Sequence, residues 1–205
     1  MKKIILALMA LIGLAGATTA FADDDGWYVL GAVGRPTGSD YQSRVDNALI
    51  AAGGTGFSSS FSKATVYKLQ LGYQINKNFA VEGGYLGSSN QTYSATGGNL
   101  GGTLTVSGNV SGYNLIAVGI LPLANQFSLL GKLGVAGLQE SVTATGGGFT
   151  VSVNGSKTDL TYGLGAKYDF TKEISMRLDL DSYNVGNSTS ASRSNVWMVG
   201  AGYKF

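Results

Sequence analysis

The 205 residues hold 32 glycines and 11 tyrosines but only 2 prolines, with no cysteine and no histidine. Lack of cysteine excludes disulfides, thiol catalysis and thiolate metal sites, and lack of histidine removes the usual general base and the commonest metal ligand. Formal net charge is only +2 and no basic face stands out, so nucleic acid is not an expected partner.

Lys2 and Lys3 precede an apolar run from Ile4 to Ala17, then Ala20-Phe21-Ala22 and the acidic Asp23-Asp24-Asp25. A positive start, an apolar stretch and an A-x-A site define a secretory signal peptide over residues 1–22. The run is short of the roughly 20 residues of a spanning helix. Removing two lysines leaves 12 basic residues against 12 acidic ones in residues 23–205, from totals of 14 and 12. No lipobox cysteine precedes the expected mature start. Residues 23–205 have the length of one domain.

Trp27 to Gly34 is the first expected strand, ended by Arg35-Pro36-Thr37-Gly38. A long polar connection follows to about Lys63. Within it, Ser39 or Asp40 could cap a short helix through Ala51, stopped by Gly53-Gly54. Tyr67, Leu69, Leu71, Tyr73 and Ile75 then alternate with Lys68, Gln70, Gly72 and Gln74, the period of a strand with two unlike faces. Asn76-Lys77-Asn78 predicts a tight turn, and Phe79 to Leu86 alternates back, with Glu82 on the polar side.

Gly87 to Gly112 reads as a second long connection, with Thr103 to Val110 regular enough to extend a strand. In Tyr113 to Leu121 the inward side rests on Asn114 alone. Pro122 to Gln126 turns the chain into Phe127 to Ala136, which carries Lys132. Gln139 to Lys157 is a third long connection; its Thr143-Ala144-Thr145-Gly146-Gly147 echoes Ser94-Ala95-Thr96-Gly97-Gly98. Tyr162 to Phe170 carries Lys167, and Ile174 to Asp181 carries Arg177, Asp179 and Asp181. A polar loop, Asn184 to Asn195, leads to Trp197 to Phe205, which alternates to the final aromatic.

Eight strands alternate with long and short connections. Their charged residues Lys68, Glu82, Lys132, Lys167, Arg177 and Asp179 lie opposite the aromatics. A soluble barrel needs a polar exterior and an apolar interior; this pattern is the reverse. It predicts an all-β, eight-stranded antiparallel up-and-down transmembrane barrel in a bacterial outer membrane. Short turns and both termini fall on the periplasmic side, and long loops outside. The last strand is expected to close the ring against Trp27 to Gly34. From Tyr67 onward no lipid face carries a charge, which at mid-bilayer would cost roughly 2–4 kcal/mol.

Gly72-Tyr73-Gln74-Ile75-Asn76, Phe79 to Tyr85, Gly131 to Val135, Tyr162 to Tyr168 and the terminal Tyr203-Lys204-Phe205 resemble the OmpA-like transmembrane domain family of Gram-negative bacteria. The resemblance implies a small porin-like outer-membrane barrel held in outer-membrane lipid and lipopolysaccharide. It also implies that Tyr203 and Phe205 form a terminal signal read by the outer-membrane assembly machinery. Larger members carry a peptidoglycan-binding domain after the barrel; the sequence here ends at Phe205, so cell-wall tethering is not expected of it.

No catalytic, cofactor-binding or metal site is expected. Gly163-x-Gly165 lacks the strand-to-helix context of a phosphate loop and reads as inward glycine of a narrow barrel. Asp179 and Asp181 read as ion-pair partners in the lumen. Glu82 is expected against Lys132 or Arg177, and Asp179 against Lys167 or Arg177, because an unpaired buried ion costs several kcal/mol. The expected function is non-enzymatic: a structural or surface-interaction barrel of adhesion type, binding a surface ligand through long loops where Tyr41, Phe61, Tyr93 and Phe149 recur. The alternative is a low-conductance channel through the charged lumen.

Overall fold

The structure, a computed structural model, describes residues 25–37, 41–124, 126–186 and 191–205. The expected signal peptide, Ser39 and Asp40 lie outside the described residues. Among the described residues ten strands and one α-helix follow in order, with a 3-10 turn at Gly98–Leu100: β1 (Gly26–Thr37), α1 (Tyr41–Ala51), β2 (Phe57–Ser62), β3 (Val66–Asn76), β4 (Phe79–Ser88), β5 (Gln91–Gly97), β6 (Thr103–Ala124), β7 (Phe127–Gly146), β8 (Phe149–Asp169), β9 (Ile174–Gly186) and β10 (Ala191–Lys204). Eight of the strands close an antiparallel ring in the order β1-β3-β4-β6-β7-β8-β9-β10. The terminal strand closes it as expected, from Tyr28 opposite Lys204 to Thr37 opposite Asn195, and the Phe205 amide donates to the Trp27 carbonyl at 2.9 Å.

Alternation along each strand sorts residues to two faces. Lys68, Gln70, Glu82, Ile116, Val118, Leu130 and Lys132 are buried inside, whereas Leu69, Leu71, Leu115, Leu133, Leu164 and Leu178 are exposed outside. Asn114 faces inward, so the single polar residue orients its strand correctly. Aromatic pairs bracket the apolar band. At the short-turn end stand Trp27–Tyr73, Tyr168–Phe170 and Tyr203–Phe205, with ring centroids 5.1, 5.0 and 5.4 Å apart. At the other end Tyr85 lies 6.3 Å from Tyr67 and 5.5 Å from Tyr113. Such girdles mark the two interfaces of a membrane barrel. Arg35 points outward level with Trp197, at the edge of this band. No helix among the described residues is long and apolar enough to cross a membrane; the strands do so.

Thr103 to Val110 extends a strand as expected, being the first part of β6, but otherwise the long connections differ from the sequence expectation. Two of them contain strands outside the ring: β5 pairs with the upper part of β6, and β2 pairs with β5. The third is a continuous hairpin, since β7 and β8 stay paired from Phe127–Tyr168 to Gly146–Phe149. Gly147 and Gly148 turn it with φ of +57° and +81°, the left-handed pair that a two-residue hairpin requires. Polar composition reads as loop, yet these segments lie beyond the membrane, where both faces of a strand can be polar. The helix matches its expected end at Ala51.

Candidate functional site

The lumen is filled in three layers. In the middle, Lys68, Lys132 and Arg177 meet Glu82, Asp179 and Asp181, all buried. Three positive and three negative charges balance. Arg177 Nη1 donates to Glu82 Oε1, and Nη2 lies 3.3 Å from Asp179 Oδ2. Lys68 Nζ sits 2.8 Å from Asp181 Oδ2 and 3.4 Å from Asp179 Oδ2. Lys132 Nζ is 3.0 Å from Asp179 Oδ1 and also pairs with Asp181. The Tyr28 hydroxyl donates to Glu82 at 2.7 Å, and the Tyr183 hydroxyl to Asp181 at 3.3 Å.

An apolar cluster of Val66, Leu86, Leu138, Tyr183 and Val196 lies on the long-connection side of these charges. A second one, Ala80, Ile116, Val118 and Leu130, lies on the short-turn side. Ions sealed between two apolar layers can neither exchange readily with water nor separate without leaving a buried charge unpaired.

Of the six predicted lumen charges, five meet in this layer. Lys167 does not. It stands opposite Arg177 in register, nearer the short-turn end, and pairs with Asp169 at 2.9 Å. Asp179 takes Lys68 and Lys132 instead, because those strands face it across the barrel. Asp181, read from the sequence as a lumen ion-pair partner beside Asp179, lies in this layer too. Tyr28 and Tyr183 complete the network unforeseen; alternation puts Tyr183 on the face of Asp179, and that signal was available. The Gly163-x-Gly165 spacing has a steric cause. Gly163 faces Asp181 and Gly165 faces Asp179, and a Cβ at either would overlap the facing carboxylate oxygen.

Beyond the girdle of Tyr67, Tyr85 and Tyr113, five strands form one projecting sheet, β2-β5-β6-β7-β8. Its outward face is the continuation of the apolar band, but its chemistry changes. Ser60, Ser94, Thr105, Thr145 and Thr150 form one unbroken row across all five strands, and Ser62, Thr92, Ser107, Thr143 and Ser152 form the next. Several of these hydroxyls pair across strands, as Thr143 with Ser152 at 3.0 Å and Thr145 with Thr150 at 3.3 Å. The intervening row on the inner face is apolar: Phe61, Tyr93, Val106, Ala144 and Val151. The two echoing Thr/Ser-Ala-Thr-Gly-Gly segments are therefore two strand ends with hydroxyls outside and alanine inside.

The aromatics expected to face a ligand divide. Phe149 at the hairpin tip is 77 % exposed. Tyr93 is fully buried and donates its hydroxyl to Asp46 of α1 at 2.5 Å, so it is a docking point for the helix and not a contact surface. Burial and the Asp46 carboxylate push its hydroxyl up to about 12. Gln42 and Asp46 also bond Ser59 of β2, which fastens α1 across the sheet. The side chain of Tyr41 lies outside the described residues.

A girdled eight-strand ring with a charge-paired layer in its lumen defines a small transmembrane barrel. The chain matches the outer membrane protein beta-barrel domain family over residues 5–205 and belongs to that family. Among solved structures it is similar to Ail, the attachment invasion locus protein of Yersinia pestis, at 18% identity and TM-score 0.51, covering 90% of this chain and 100% of that one. Ail has also been solved in complex with the heparin analogue sucrose octasulfate. Neisserial surface protein A is similar at 14% identity and TM-score 0.52, covering 88% of this chain and 97% of that one. At these identities the likeness speaks for the fold alone. No curated protein matches the chain.

Proposed function

We propose that this chain is a non-enzymatic outer-membrane barrel with a closed lumen, whose projecting sheet serves as an interaction platform at the cell surface. The observation that carries this reading is the pair of unbroken hydroxyl rows above the aromatic girdle. With the short turns in the periplasm, these rows rise from the lipid-facing side into the zone of lipopolysaccharide sugars. An uncharged hydroxyl face suits sugar hydroxyls better than phosphates. The test is to replace Ser141–Asn154 by a two-residue turn and compare adhesion of cells displaying either form. Loss of surface binding with normal barrel assembly is expected; binding equal to the parent would sink the platform reading.

Low conductance remains the second reading, and one observation favours it. Gln70 and Asn114, flanking Gly84 in one register row, have buried amides without a hydrogen-bond partner. Such groups favour hydration, which a narrow water path would supply.

For assembly, the proposal extends to Tyr203 and Phe205, stacked edge-on at the exposed end of the closing strand. Deleting Phe205 is expected to impair insertion in the outer membrane while export proceeds. Parental levels of heat-modifiable barrel in that variant would contradict it.

A further inference from the structure

A cavity of about 320 Å³ opens in the lumen on the long-connection side of the ionic layer. That volume lies within the range of small-molecule sites, roughly 300–1,000 Å³. Its floor is Val66, Leu86, Leu138, Tyr183 and Val196, all buried. The Tyr183 hydroxyl is engaged below, on Asp181, so the floor offers a guest apolar surface. Arg44 of α1 and Lys63, just before β3, line the cavity as exposed cations. Arg193 also lines it, but its guanidinium lies 4.7 Å from the Tyr162 ring centroid, on the outer wall.

We propose that this cavity is a binding site for a single-chain amphipathic anion, with the alkyl chain on the apolar floor and the headgroup at Arg44 and Lys63. The inference is independent of the outer hydroxyl face. Opposite charge at the mouth and apolar surface beneath select that class over sugars, cations and short polar solutes. The ionic layer beneath makes the cavity a cup.

Among the described residues, Glu140 is the one carboxylate lining the cavity. It makes no ion pair or hydrogen bond among the described residues, and its strand neighbours are Val110 and Gly155, neither of them titratable. The other titratable residues lining the cavity are Arg44 from α1, Lys63 before β3, Tyr183 from β9 and Arg193 from β10, the last with its guanidinium turned to the outer wall. Burial raises its carboxyl above the ordinary range. Protonated, Glu140 no longer repels an anion, so affinity rises as pH falls.

The test uses the protein in phosphatidylcholine nanodiscs, with labelled Leu and Val methyls followed by NMR while decyl sulfate is added. Decyl sulfate stays anionic over about pH 4 to about pH 8, so any pH dependence there belongs to the protein. Saturable shifts are expected at Leu86, Val110, Leu138 and Val196. Decyltrimethylammonium is expected to bind at least about fivefold more weakly, as is decyl sulfate to the Arg44→Ala/Lys63→Ala variant. Glu140→Gln is expected to tighten binding near neutral pH and flatten its pH dependence. Val110→Trp, which fills the cavity and leaves the mouth untouched, is expected to abolish the shifts while retaining heat-modifiable mobility. The proposal fails if shifts are non-saturable, if the cationic chain binds as tightly as the anion, or if Val110→Trp binds like the parent. Adhesion through the outer face would be untouched by any of these failures.

Discussion

Arg177 holds two carboxylates at once, Glu82 and Asp179, and among the described residues Glu82 has no second cation within ion-pair distance. Glu82→Ala therefore leaves a buried guanidinium with half its partners. The expected loss is about 3–5 kcal/mol in urea unfolding from vesicles, and a loss under about 1 kcal/mol would contradict the assigned pairing. All six charges in this layer were legible as inward from the sequence, because strict alternation forces a charged residue opposite an aromatic to the inside. Partners were legible only in part. Choosing between Lys167 and Lys132 for Asp179 depends on strand stagger around the ring, and no period in the sequence carries that. Tyr93 shows the opposite failure, since an aromatic in a polar stretch looks exposed until the helix covering it is placed.

At the level of elements, the ring loosens along one line. Pairing of β8 with β9 ends at Tyr162–Ser182, while β8 continues outward with β7, and β9 with β10. Above that point side chains bridge the gap. Asn184 Nδ2 donates to Asp159 Oδ2 at 2.7 Å, and the Leu160 amide donates to Asp159 Oδ1 at 2.8 Å. Lys157, with the Leu160 amide and Asn184, holds the Asp159 carboxyl down at about 2. A lowered carboxyl stabilises the folded form above its ordinary range near 3.9 and loses that effect as pH falls through the folded value. Protection of the Leu160 amide against hydrogen exchange is thus expected to fall between about pH 4 and about pH 2. Asp159→Asn should remove that dependence, and unchanged protection at low pH in the parent would contradict the bridge. Ring strands were legible because lipid demands one apolar face. Of the projecting strands only Thr103 to Val110 of β6 was legible; the others were not, because Ser and Thr alternating with Ala and Val give too little contrast to be told from a loop.

At the scale of the whole molecule, the lumen is a stack of apolar, ionic and apolar layers, and the long connections are folded into a sheet. Strand number, closure and the lipid face could be read from the chain, since each follows from period two and from connection length. The proposed closure of the lumen could not, because it depends on which charges meet and on what packs above and below them. Planar-bilayer recording of the refolded protein tests that closure most directly. Current at the bare-bilayer baseline is expected for the parent, and also for Glu82→Ala despite its lower heat stability. Discrete conductance steps in the parent that disappear or change size in Glu82→Ala would show instead that the ionic layer is a gate in an open path.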